Sequence, residues 1–223
     1  MISTQLFPPS MSHAELDSPE PTPGGEATPA APGRKRPKPG ERRVQILQAL
    51  ATMLEQPGAE RITTAALAAK LEVSEAALYR HFASKAQMFE GLIEFIEQSV
   101  FTLINQIGER EPEGPGQAAR IVGMLIQFAE KNPGMTRVMV GDALVFENER
   151  LQQRMNQFFD KVEASLKQCL RTAPGDAAAP TVDAQVRASV LTAFIVGRLQ
   201  RFARSGFKRA PSEHLEAALQ RML

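Results

Sequence analysis

Thr63, Thr64, Tyr79, Arg80, His81 and Lys85 stand out for what they offer an anion. All six are hydrogen-bond donors or cations, and all lie in the single segment ITTAALAAKLEVSEAALYRHFASK (62–85). Donors at this density suit phosphate oxygens, which fix the position of a nucleic acid without reading its sequence. Catalysis has little to build on. The three histidines, His13, His81 and His214, are far apart in the sequence. No glycine-rich phosphate loop, paired metal-ligand spacing or nucleophile elbow occurs. Asp142, Glu147 and Glu149 lie close together, as in any charged helix end. The single cysteine, Cys169, provides neither an internal disulfide nor a zinc site and points to a reduced, cytoplasmic setting. The expectation is a binding protein rather than an enzyme, with no metal and no cofactor.

The donors must be held by helices. Ser74 suits an N-cap, and a helix beginning there places Leu78 and Phe82 on one side at 100° per residue. Ala76 and Arg80 then point nearly opposite, with Ala77 nearby and Tyr79 and His81 flanking. Such a helix has a low-profile N-terminal end and a hydrogen-bonding C-terminal end. The second helix of a helix-turn-helix enters the major groove by its N-terminal residues, where alanines let the backbone approach base edges. Glu75 either accepts from a cytosine amino group or simply complements the helix dipole. Thr63 and Thr64 open the preceding short helix, Thr64 to about Lys70. There they cap free N–H groups, hold phosphate, or do both.

Charge is concentrated around this segment. The whole chain of 223 residues carries a formal net charge of only +1. Residues 1–33 hold four acidic and no basic side chains, whereas residues 34–85 sum to +5. A basic block beside a neutral body implies that one part meets a polyanion. Residues 1–40 hold nine of the sixteen prolines and few apolar residues, the composition of a disordered tail. Its end, RKRPKPGERR (34–43), is either a nucleic-acid-touching arm or a solubilising linker. No run of about 18 apolar residues suggests a membrane span, and no secretory leader is evident.

From Glu41 the pattern is helical almost throughout. The stripe Val44, Ile46, Leu47, Leu50, Ala51 and Leu54 ends before Pro57-Gly58. Ser84 with Gln87 reads as a capping box opening a long helix with Met88, Phe89, Leu92, Ile93, Ile96 and Val100 on its stripe. Further helices are expected over about 117–131, 134–146, 148–171, 182–206 and 212–222. Val182, Val186, Val190, Ile195, Leu199 and Phe202, with Leu215, Leu219 and Met222, suit a four-helix dimer interface or packing within one chain. The reading is all-α: a tail (1–40), a three-helix helix-turn-helix domain (41–83) and a larger helical body (84–223).

Segment 62–85 resembles the helix-turn-helix of the TetR family of dimeric DNA-binding proteins: Thr at the helix start, Ala-Ala before the turn, Val-Ser into the recognition helix, then Leu-Tyr-x-His-Phe and Ser-Lys. Glu72 stands where the family usually has glycine in the turn. The resemblance implies that Thr63, Thr64, Glu75, Ala76, Ala77, Tyr79, Arg80, His81 and Lys85 meet palindromic double-stranded DNA. Segments 42–55, 88–99, 131–159 and 201–208 are similar to a branch of the family active in nucleoid occlusion. That similarity implies a homodimer that also binds the tubulin-like division protein FtsZ, through the long helix after the recognition helix and its neighbour, with Phe95 as a contact. Read from the sequence pattern alone, Phe95 lies at the edge of its helix stripe and suits either a partner or packing. The other reading of a TetR-like chain is a repressor released from DNA by a small ligand held in the helical body.

Overall fold

The computed structural model describes residues 40–56, 62–112, 114–171 and 180–223; the expected tail up to residue 39, Pro57-Gly58 and residues 172–179 lie outside them. The described residues form nine α-helices and one 3₁₀ turn: α1 (Glu41–Leu54), α2 (Thr64–Lys70), α3 (Glu75–Tyr79), α4 (Lys85–Arg110), α5 (Pro115–Lys131), α6 (Pro133–Met139), the 3₁₀ turn Asp142–Leu144, α7 (Glu149–Arg171), α8 (Pro180–Arg204) and α9 (Leu215–Met222). No strand occurs among them.

Local chemistry sets the helix starts. Thr63, Ser74 and Ser84 each have extended backbone, and their side chains accept from the N–H of Ala66, Ala77 and Gln87. An N-cap of this kind contributes typically ~1 kcal/mol. The capping box at Ser84 is modified, because the Gln87 side chain accepts from the N–H of Ala83 rather than of Ser84 (2.8 Å). Between α2 and α3 the chain turns through Glu72 at φ 53°, the left-handed region that glycine favours. The N–H of Val73 reaches the carbonyl of Ala68 and that of Glu72 reaches Ala69, which together make a Schellman turn. A glutamate there costs about 1 kcal/mol relative to a relaxed backbone.

Two expectations need correction. The helix anticipated over 134–146 is broken: α6 stops at Met139, and Gly141 takes a left-handed φ of 82° before the 3₁₀ turn. The α8 stripe splits in two. Ile195, Leu199 and Phe202 are buried in the protomer's own core, whereas Val182, Val186 and Val190 are 65%, 56% and 49% exposed. At 100° per residue the valines lie on the face opposite Ile195, so α8 is apolar on two sides.

A register runs through the body. Lys85, Glu90 and Glu97 of α4 pair with Glu147, Arg150 and Arg154, so α4 and α7 run side by side in the same direction. Hydrogen bonding to Glu97 makes the Arg154 guanidinium hold its proton more tightly than usual. α8 returns antiparallel to α7. Gln185 donates to Glu163 (2.6 Å), and near the other end Gln200 and Arg204 share a recess with Gln152 and Asn156.

The first three helices meet the body where α6 crosses α1 at Gly134. A Cβ at Gly134 would stand 2.0 Å from the carbonyl oxygen of Ala51. Thr136, fully buried, donates to the carbonyl of Ala129 (2.8 Å) and so fixes the α5–α6 corner. Gly134→Ala is expected to lower stability by about 3 kcal/mol, since a backbone rather than a side chain must move. Chemical denaturation with an unchanged m-value would check this. Beside this crossing, burial pushes the Glu55 carboxyl above its ordinary range, partly offset by Lys70. The ionised form is thus disfavoured in the folded state, so stability falls as pH rises through the raised pKa. Glu55→Gln should raise Tm at pH 7, with the gain vanishing near pH 4, in a pH series of thermal melts.

Candidate nucleic-acid interface

The recognition segment is anchored from beneath. Leu78 and Phe82 are each 1% exposed and join the core. The helix itself is short, ending at Tyr79, and Arg80 and His81 form a further turn in which the N–H of Phe82 bonds to the carbonyl of Leu78. Arg43 of α1 lies over the Phe82 ring (4.1 Å) and donates to the carbonyl of His81. The end of the recognition segment is therefore clamped to α1 through its backbone.

The side chains sort into three situations. Ala76, Tyr79 and Arg80 are exposed, with Tyr79 at 45%, and Ala77 and His81 are half-buried beside them. All five are thus at least partly accessible on this segment. Thr64 donates to the Glu75 carboxylate (2.6 Å), which ties the starts of α2 and α3 together, while Thr63 caps α2. Glu75 thus already has a partner, which leaves its carboxylate less free for a base edge. Lys85 is half-buried, paired with Glu147 and 5.7 Å from the Phe89 ring centre. Sequence reasoning missed Glu147 as Lys85's partner, because the two are 62 residues apart and no periodicity links them.

The sequence of this three-helix unit and of the helical body that follows it is matched by two family models. Residues 46–92 match that of the bacterial regulatory proteins of the tetR family, and residues 117–223 that of the tetracyclin repressor-like C-terminal domain of SlmA-like proteins. The nucleoid occlusion factor SlmA of Idiomarina loihiensis is 52% identical over 182 residues, which span 81% of this chain and 93% of that protein. The chain belongs to the SlmA branch of the TetR family. The SlmA of Vibrio cholerae is 50% identical over 177 residues, covering 78% of this chain and 90% of its own. Among solved structures, a TetR transcriptional regulator from Legionella pneumophila superposes with a TM-score of 0.65 at 14% identity, over 82% of this chain and 97% of that one. The transcriptional regulator FadR from Bacillus subtilis, solved with stearoyl-CoA, gives 0.63 at 14% identity, over 80% and 96%. At such identity these two share the fold alone. No helix among the described residues is long and apolar enough to cross a membrane.

Two substitutions separate the roles of the surface donors. Lys85→Ala should flatten the salt dependence of DNA binding by roughly one per protomer, the signature of one lost phosphate contact. Tyr79→Phe should weaken binding equally on all sequences and leave the slope unchanged, since no charge is lost. Anisotropy titrations over a salt series measure both.

Proposed function

We propose that this protein is a nucleoid occlusion factor that binds palindromic chromosomal sites as a homodimer, associates with the nucleoid and, while bound, engages FtsZ and opposes Z-ring assembly and septum formation. The observation that carries the reading is identity of about 50% across nearly the whole length of nucleoid occlusion factors. Residues 41–83 serve as the DNA-reading domain and 84–223 as the dimerisation and partner-binding domain, with 1–40 appended. DNA is met by Thr63, Thr64, Glu75, Ala76, Ala77, Tyr79, Arg80, His81 and, once released from Glu147, Lys85. The exposed Val182, Val186 and Val190 form the apolar face that a second copy covers.

FtsZ is assigned to the α4–α5 side. Phe95 is half-buried and packs against the core. Further along α4, a recess of about 500 Å³ is lined by Leu103, Ile107 and Met124, with Arg110 and the Arg120–Glu111 pair at its edge. An apolar floor with the Arg110 cation at its edge suits a short segment carrying apolar and acidic side chains. The test adds the protein and a selected palindromic duplex to assembling FtsZ and follows light scattering. Wild type with duplex should suppress polymer, and Phe95→Ala should lose suppression while keeping DNA affinity. Tight DNA binding with untouched polymerisation and no direct FtsZ binding would overturn the FtsZ assignment.

A further inference from the structure

The turn after α8 is basic, rigid and unaccounted for by the recognition helix. Arg201, Arg204, Lys208 and Arg209 are all exposed, and none is paired with a carboxylate among the described residues. Arg201 and Arg204 complement the C-terminal dipole of α8, but Lys208 and Arg209 lie beyond the helix and gain nothing from it.

The turn is built to hold its shape. The N–H of Phe207 bonds to the carbonyl of Phe202 and that of Gly206 to Ala203, again a Schellman pattern. The Ser205 hydroxyl donates to the carbonyl of Phe202 (2.8 Å) and accepts from the N–H of Lys208 (3.1 Å) and Arg209 (2.9 Å). Phe207 itself sits at φ 63°, a strained conformation for a bulky residue. Its ring stacks edge-on against Phe202 (5.1 Å) and lies under the guanidinium of Arg137 (5.1 Å). Arg137 is 8% exposed, and its Nε has no hydrogen-bond partner. A buried, unneutralised cation therefore props a turn of free cations.

Position supplies the occupant. α7 starts level with Lys85, next to the recognition segment, and α8 runs antiparallel to α7, so the C-terminal end of α8 lies at the recognition-helix end of the body. α6 confirms this placement: Gly134 touches α1, and Arg137, one helical turn on, touches Phe207. A dimer closed through the α8 valines keeps both basic turns at the recognition-helix end of the body. We propose that the α8–α9 turn is a second DNA-contacting element, in which Arg201, Arg204, Lys208 and Arg209 meet the phosphodiester backbone at the centre of the bound palindrome. The inference rests on the DNA-binding dimer proposed above.

The experiment compares full-length wild type with Lys208→Ala/Arg209→Ala on a palindromic duplex selected with the wild-type protein. If both side chains meet phosphate in both protomers, the double variant lowers the slope of log Kobs against log salt by about 3 to 4. Neutral methylphosphonate linkages at the central steps should flatten the wild-type slope by more than they flatten that of the variant, which keeps only Arg201 and Arg204. An equal slope for variant and wild type, with the dimer intact by sedimentation, overturns the proposal. So does a variant that binds DNA normally but loses binding to anionic vesicles, or one whose dimer dissociates. Failure of wild type to bind any palindrome would instead remove the underlying DNA-binding reading.

Discussion

The close approach of α6 to α1 is the constraint on which the arrangement rests. With Gly134 against the Ala51 carbonyl, two helix backbones meet without intervening side chains. Buried Thr136 and the α5–α6 corner then fix where that contact falls. The recognition segment is fastened to the other end of the same helix α1 through Arg43. Its position relative to the body is thus held through α1 on one side and through α4, tied to Glu147 at Lys85, on the other.

Lys85 belongs to two systems. In the free protein its ammonium is held by Glu147, in partly shielded surroundings where screening by salt is weaker than at the open surface. A phosphate must compete with that carboxylate, so part of the gain from the contact is offset by the broken pair. Lys85 stands at the first turn of α4, the helix that also carries Phe95 and the α4–α5 recess. The DNA contact and the partner contact proposed above would therefore fall on one continuous element.

Much of this architecture was legible because it is locally determined. Thr63, Ser74 and Ser84 announced their helices because a cap acts over three residues. The left-handed Glu72 was expected from the family's turn. Long-range facts were not legible. Nothing near Gly134 names Ala51 as its neighbour, nothing near Lys85 names Glu147, and the break at Gly141 competes with an apolar pattern that reads as continuous helix. The two apolar faces of α8 merged into one stripe because apolar spacing does not say which side is the core. For the interface, residue types were readable in 62–85, but the engagement of Glu75 and Lys85 by other side chains needed the fold.

The division between local and distant contacts has a kinetic side. The caps and the Schellman turn of residues 63–87 close over a few residues, so their loop-closure cost is small and they can form early. The ion pairs joining α4 to α7 span about sixty residues, and α8 buries Ile195 and Leu199 in the core it shares with α5 and α7. Its valine face stays uncovered among the described residues. Assembly therefore ends in a bimolecular step, and the half-life of the last intermediate depends on how much protein the cell contains.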